Sequence, residues 1–383
     1  MTDTEYHGFE QGPIRPPSEA YSLLIRITRN CPWNKCTFCP VYKGADFSIR
    51  PTEHVLKDID AVYYYIENLK NIRSQNPEIP RTEIRKIYDN DEIEDNAAFF
   101  AAYHWFFSGG MKSVFLQDAN SLIIKPADLL KILNRLMEHF PEIERITSYA
   151  RSHTVDRISA ENLKKMYTSG LNRIHIGLES GSDKILKKIK KGVTKARHIS
   201  AGRKVKQSGM ELSEYYMPGI GGKDLWKENA VETADAVNQI DPDFVRLRSV
   251  AVPDYTPLGE EYRNGIFKKC NDIELIREIK LFIEKLDFTG RIVSDHILNL
   301  LSEIDGKFPE DRKKILDIIN RFLNLNETDN IIYRVGRRVG YFSGLEDLKN
   351  EYKYSKTMEV CRRLNIDKDN IDDRTDELMR SFI

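Results

Sequence analysis

Short apolar runs alternate with longer amphipathic stretches through the first 260 residues, and these two periods set the element reading. Apolar and β-branched runs at 21–28 (YSLLIRIT), 113–117 (SVFLQ), 145–149, 173–177 (RIHIG), 211–217 (ELSEYYM) and 244–250 (FVRLRSV) predict six strands. Between them, helical periodicity covers 126–139, 160–169, 183–190 and 223–239, with Gly170 as a stop signal. The aromatic stretch 54–107 (AVYYYIENL, AAFFAAYHWFF) predicts two helices ahead of the second strand. After about residue 266 the pattern turns helical only, with segments near 273–286, 310–323 and 345–363.

Strands that alternate with helices describe parallel βα units, and the right-handed crossover rule arranges six of them as an open or partial barrel. The expected fold class is α/β, a partial (β/α)6 TIM-like barrel with a C-terminal helical domain. The expected division is a core at 1–265 carrying a helical insertion at about 54–107, followed by a helical domain or cap at 266–383.

Charge changes this picture little. Lysine plus arginine and aspartate plus glutamate number 59 each, so the net charge gives no argument for a nucleic-acid partner. The basic run 184–195 is expected to be a solvated helix surface. The opening MTDTEYHGFE is polar and acidic, so no signal peptide is expected. No stretch approaches the roughly 18 apolar residues of a membrane span. A cytoplasmic protein without a membrane span is the expectation.

Cysteine placement is more telling. Five cysteines is an odd number, and three of them fall in Cys31-Pro-Trp-Asn-Lys-Cys36-Thr-Phe-Cys39. That spacing suits an intracellular metal centre better than a disulfide framework. Soft thiolates fit zinc or an iron–sulfur cluster, and three ligands leave one coordination position open. Cys270 and Cys361 stand far off without local partners and are expected to be small buried apolar residues. The loop leaves the carboxyl end of the first expected strand, where α/β barrels build their sites, and this favours the cluster over zinc. Phe38 offers a flat face to a cofactor ring.

This loop resembles that of the radical S-adenosylmethionine superfamily, whose usual spacing is C-x3-C-x2-C with an aromatic residue before the last cysteine. Here the first gap is one residue longer, and CTFC fits. The resemblance implies that Cys31, Cys36 and Cys39 ligate three irons of a [4Fe–4S] cluster. The fourth iron would then bind S-adenosylmethionine, with Phe38 against the adenine. Three further segments follow in the family's order. Asp118-Ala119-Asn120 stands where a Gly-Gly-Glu-like motif receives the methionine amino group. Gly177-Leu-Glu179-Ser-Gly181-Ser-Asp183 looks like a stretch of the coproporphyrinogen dehydrogenase and methylthiotransferase branches, and Glu179 would accept ribose hydroxyls. Lys191, twelve positions on, would meet the substrate carboxylate, with Lys190 or Arg203 as substitutes. Met-Pro-Gly219-Ile-Gly221-Gly222 is similar to a G-x-P-G turn, where glycines let backbone approach a nucleoside. The position of a further ribose acid falls on Tyr215, beside Ser213 and Glu214. Ser148, Tyr149 and Arg151 sit where relatives place carboxylate-binding groups.

By the same resemblance, the reduced cluster splits S-adenosylmethionine to a 5′-deoxyadenosyl radical that abstracts hydrogen from a substrate. An electron donor such as ferredoxin or flavodoxin would serve it. Candidate catalytic or substrate-lining groups are Tyr42, Lys43, Arg246, Arg248, Asp254, Tyr255 and His296. Two other classes stay open on the residues alone. A zinc-dependent hydrolase or deaminase would use the same cysteines around a water, though no His/Glu signature accompanies them. A non-enzymatic metal-binding protein would need a fourth nearby ligand.

Overall fold

A computed structural model describes residues 5–89 and 95–380, in two compact units. Residues 90–94 of the expected helical insertion lie outside the described residues, as do 1–4 and 381–383 of the expected domains.

The first unit comprises residues 1–34, 41–176 and 204–211. Its strands are β1 (Leu23–Arg26), β2 (Thr28–Arg29), β3 (Ser48–Ile49), β4 (Ser113–Gln117), β5 (Arg145–Ala150) and the start of β6 (Leu171–Glu179). β1, β4, β5 and β6 lie side by side and parallel, with Leu24 opposite Phe115, Phe115 opposite Thr147, and Thr147 opposite Arg173. β2 and β3 form a separate two-stranded ribbon. Three helices, not two, fill the aromatic stretch: α1 (Thr52–Gln75), α2 (Arg81–Asp89) and α3 (Asn96–Ser108). Pro77 and Pro80 explain the extra break, since proline disfavours helix at the residue before it. α1 buries Val55, Ile59, Val62, Ile66 and Leu69 along one stripe. α4 (Pro126–His139) starts on a proline and buries Leu129, Ile132, Leu133 and Leu136. α5 (Ser152–Val155) and α6 (Ala160–Thr168) complete the unit, and Ser159 caps α6 through the Asn162 N–H.

The second unit comprises residues 35–40, 177–203 and 212–383. It holds the end of β6, α7 (Asp183–Lys188), most of α8 (Lys195–Ser208), β7 (Glu211–Tyr216), α9 (Gly222–Ile240) and β8 (Phe244–Leu247). α10 (Pro257–Arg263), α11 (Asp272–Lys285), β9 (Arg291–Val293), β10 (Gly306–Lys307) and α12 (Arg312–Leu323) follow. α13 (Glu327–Arg338), α14 (Glu351–Arg363) and α15 (Ile371–Arg380) end the described chain. β7, β8 and β9 are parallel, and β10 runs antiparallel to β9. A region expected to be helical only therefore contributes two strands. At three and two residues they are too short for alternation to show in sequence.

The fold class is α/β, with a mostly parallel sheet, connecting helices and a helical C-terminal region. The second unit's core runs through α9, α11, β8, α12 and α13, with Tyr216, Phe282, Phe308, Phe322 and Tyr333 fully buried. Asp272, at the start of α11, is ion-paired inside this core to Arg334 at 2.9 Å and Arg338 at 2.8 Å. Those two guanidiniums hold its carboxyl down at about 2 against the effect of burial.

Candidate functional site

Candidate residues in the first unit gather behind β1 and β4. Cys31 is half-buried, and its Sγ accepts a hydrogen bond from the Asn34 N–H at 3.5 Å. Asn30 and Asn34 both take positive φ, a conformation asparagine tolerates better than most residues. The Asn34 side chain donates to the carbonyls of Tyr42 and Ala45, and Lys43 Nζ donates to the Asn34 carbonyl at 3.0 Å. Tyr42 is buried. Lys43 thus helps hold the cysteine loop in shape.

Asp118 is fully buried at the end of β4. Its Oδ2 accepts from Arg26 Nε and Nη2 at 2.9 and 2.6 Å, and from the Asn30 N–H at 3.1 Å. Burial raises its proton affinity, and Arg26 opposes that rise. Ala119 is half-buried. Asn120 accepts from the Arg151 N–H at 3.0 Å and donates to Thr154 at 2.8 Å, so it ties β4 to the turn after β5. Arg151 places its guanidinium 4.9 Å from the centre of the Trp33 ring, within the cysteine loop. Ser148 is buried, with its hydroxyl turned to backbone carbonyls.

In the second unit, Cys36 and Cys39 bracket a short backbone clamp. The Thr37 N–H donates to Ile189 and the Leu258 N–H donates to Thr37, both at 3.0 Å. Phe38 packs on an apolar cluster formed by Ile185, Ile189, Met217, Ile220, Val250, Leu258 and Phe267.

The end of β6 makes a charged corner. Glu179 stands at φ +61°, in the left-handed region, and accepts from Lys191 Nζ at 2.9 Å. A Cβ at Gly177 would come within 2.3 Å of Glu179 Oε1 and 2.8 Å of Lys191 Nζ, so glycine there lets the pair lie where it does. Of the three basic candidates, Lys191 is the one that meets Glu179. Arg203 is exposed and donates to the Gln239 carbonyl, and Lys190 is also exposed. Glu214 on β7 is wholly buried, and among the described residues neither carboxylate oxygen has a hydrogen-bond partner. Burial raises its proton affinity well above the usual carboxylate range, Glu179 adds to the rise, and Lys191 counters it.

The glycine turn is held from below by a residue that the motifs do not show. Glu278 on α11 accepts from the Gly219 N–H at 3.0 Å, Tyr216 Oη at 2.7 Å and Asn229 Nδ2 at 2.7 Å. It is fully buried, which pushes its carboxyl up to about 7 despite the three donors. Gly219 takes φ +85°, and a Cβ there would come within 2.5 Å of Leu275. Gly221 is helical in backbone and opens α9.

The remaining candidates lie at the end of β8 and beyond. Arg246 is buried and paired with Asp295, and Arg248 is exposed. Asp254 is exposed and 3.6 Å from Arg263, and Tyr255 is exposed. His296 accepts from the Leu298 N–H at 3.3 Å. Burial, aided by Arg248, pushes its imidazole down to about 4.

None of the five cysteines forms a disulfide, and Cys270 and Cys361 are buried, where desolvation raises both thiols. Among the described residues, no three Cys, His, Asp or Glu side chains stand close enough together to share a metal ion. The donor set nevertheless suits an iron–sulfur cluster in its chemistry: three half-buried thiols on one loop, with no histidine or carboxylate among them. Among the described residues, no helix is long and apolar enough to cross a membrane.

A sequence model of the Radical SAM superfamily matches residues 25–234, more than half of the chain. Among curated proteins, a tRNA uridine(34) acetyltransferase of Methanocaldococcus jannaschii is 24% identical, over 74% of this chain and 52% of its own length. A tRNA-2-methylthio-N(6)-dimethylallyladenosine synthase of Christiangramia forsetii is 27% identical, over 49% of this chain and 34% of its own. The chain thus spans about half the length, or less, of these relatives. Among solved structures, methylornithine synthase aligns at a TM-score of 0.43 and 16% identity, covering 78% of this chain and 81% of that one. Coproporphyrinogen III oxidase from Escherichia coli aligns at 0.41 and 14%, covering 79% and 52%.

Proposed function

The chain belongs to the radical SAM superfamily, and from that premise we propose that Cys31, Cys36 and Cys39 hold a [4Fe–4S] cluster that works with S-adenosylmethionine on a substrate. The observation that carries this reading is the family match, whose span includes the cysteine loop, Asp118, Glu179 and Gly219. Such a cluster, when bound, supplies the single electron that splits S-adenosylmethionine and starts radical chemistry.

The chain's own residues would bind and position. Phe38, seated on its apolar cluster, offers a ring edge or face to an adenine. Glu179 offers an acceptor for ribose hydroxyls once Lys191 shares it or moves off. Glu214 is wholly buried, and that burial favours its neutral form beside Glu179. Gly219, held by Glu278, keeps its turn free of side chain where a nucleoside would approach. Asp118, Asn120, Ser148 and Arg151 are proposed to bind the methionine end, with Ala119 leaving space between them. Tyr42, Lys43, Arg246, Arg248, Asp254, Tyr255 and His296 are proposed to line the substrate side. We place the catalytic core in residues 1–265, the helical cap in 266–383 and the protein in the cytoplasm, served by a ferredoxin- or flavodoxin-type electron donor.

A small molecule is the first substrate reading. RNA is a second, because relatives carry tRNA in their names.

Iron and sulfide analysis of five single alanine variants tests the cluster. Cys31→Ala, Cys36→Ala and Cys39→Ala should each lose cluster assembly, whereas Cys270→Ala and Cys361→Ala should keep it. Full iron loading in Cys36→Ala would overturn the ligand set.

A further inference from the structure

The carboxyl end of β8 carries a second charged constellation, held with more care than a solvated loop requires. Asn299 makes the first restraint. Its Oδ1 accepts from the Ser249 N–H at 2.9 Å, and its Nδ2 donates to the Leu247 carbonyl at 2.8 Å and to Ser294 at 3.1 Å. Helix α13 makes the second: Arg338 donates to the Leu298 carbonyl at 2.9 Å and Arg337 to the Leu300 carbonyl at 2.8 Å. The segment after β9 is thereby fixed against the residues that follow β8, and His296 rides on it.

The arginines here divide by what their side chains do. Arg246 neutralises Asp295, Arg337 takes loop carbonyls, and Arg338 shares itself between a carbonyl and Asp272. Arg248 is exposed, and its guanidinium has no ion pair or hydrogen bond among the described residues. The protonation of His296 follows from its neighbours. Nδ1 accepts the Leu298 N–H, so the ring proton sits on Nε2, and that N–H has no partner among the described residues. Burial and Arg248 keep the ring neutral at neutral pH. Asn299 bonds both residues that flank Arg248, and its own N–H donates to the His296 carbonyl at 2.9 Å, so one knot of backbone carries a guanidinium with open donors and an imidazole that presents a single N–H.

We infer that Arg248 and His296 form a subsite for an oxyanion of the substrate, a carboxylate or a phosphate. The inference rests on the reading of the chain as an enzyme that works at this end of its parallel strands. An oxyanion can take two N–H groups from the guanidinium and one from the imidazole, which are charge-assisted bonds of the stronger kind. A cationic group would meet only repulsion, because Asp295 is already neutralised by Arg246.

Histidine-labelled full-length protein, titrated by NMR, tests this with acetate and inorganic phosphate as probes. One or both anions should raise the His296 pKa by about one unit or more, because a bound anion favours the imidazolium. Arg248→Gln should weaken that binding about tenfold, equivalent to about 1.4 kcal/mol, while the control Arg263→Gln leaves it unchanged. A response to acetate alone points to a carboxylate, and one to phosphate alone points to a phosphorylated substrate. If neither anion moves His296, or if Arg248→Gln binds as tightly as wild type, the subsite is wrong. The titration needs neither cluster nor S-adenosylmethionine. A silent His296 in a protein that cleaves S-adenosylmethionine therefore sinks the subsite alone. A normal anion response in a protein that never cleaves it sinks the enzyme reading alone.

Discussion

Glu179 combines two costs at one position: a left-handed backbone that a residue with a Cβ adopts reluctantly, and a carboxylate that needs a partner. Such strain persists where the surroundings over-determine it, here through the Lys191 ion pair and the Met217 N–H donated to the Glu179 carbonyl. Two variants separate the costs. Glu179→Ala should weaken S-adenosylmethionine binding about ten- to hundredfold, as expected for a lost charged acceptor. Glu179→Gly should weaken it as much, yet be the more stable of the two by about 1 kcal/mol, because glycine accepts the backbone angle. Anaerobic calorimetry and urea unfolding measure both quantities. Unchanged affinity in either variant would place Glu179 in the scaffold only. The sequence showed Glu179 and Lys191 as separate candidates but not as partners, since a spacing of twelve carries no periodic signal of contact. Glu214 stood beside the expected Tyr215, and only its burial distinguishes it.

At the scale of elements, α11 links the helical C-terminal region to the glycine turn. The segment was legible in sequence near 273–286, and the structure fixes its start with a reciprocal capping box of Asn271 and Glu274. The role of Glu278 was not legible: an acidic residue in an amphipathic helix reads as solvent-facing until its burial is known. Its carboxyl holds a proton up to about pH 7, whereas an unfolded chain releases it near 4.5. The folded state binds more protons across that window, so stability falls as pH rises through it, by about 3 kcal/mol in all. Glu278→Gln should remove most of this dependence and also loosen the Gly219 turn. Unfolding midpoints at pH 5 and pH 7.5 should therefore differ more in wild type than in the variant. Equal differences would mean that Glu278 does not titrate there.

Across the whole molecule, the alternation of apolar runs with helical stretches was enough to give the α/β class and the six parallel strands. β9 and β10 escaped because short strands carry no period. Also invisible in sequence was the buried ion-pair cluster of Asp272 with Arg334 and Arg338, which lie 62 and 66 positions from it. Removing its buried anion leaves Arg338 without its carboxylate and Arg334 with only the half-exposed Asp372, so Asp272→Asn should cost about 3 kcal/mol in urea unfolding. A loss below about 1 kcal/mol would show that water reaches the site. The cysteine loop was the most legible feature, since three thiols within nine residues have few structural uses. What it does rests on one assay. Anaerobically reconstituted protein carrying about four irons per chain is given dithionite and S-adenosylmethionine, with cellular metabolites supplied as substrate. Chromatography should then show 5′-deoxyadenosine and methionine well above the level made by the triple variant C31A/C36A/C39A. No excess over that variant, together with no binding of S-adenosylmethionine by the iron-loaded protein, would contradict the proposed function.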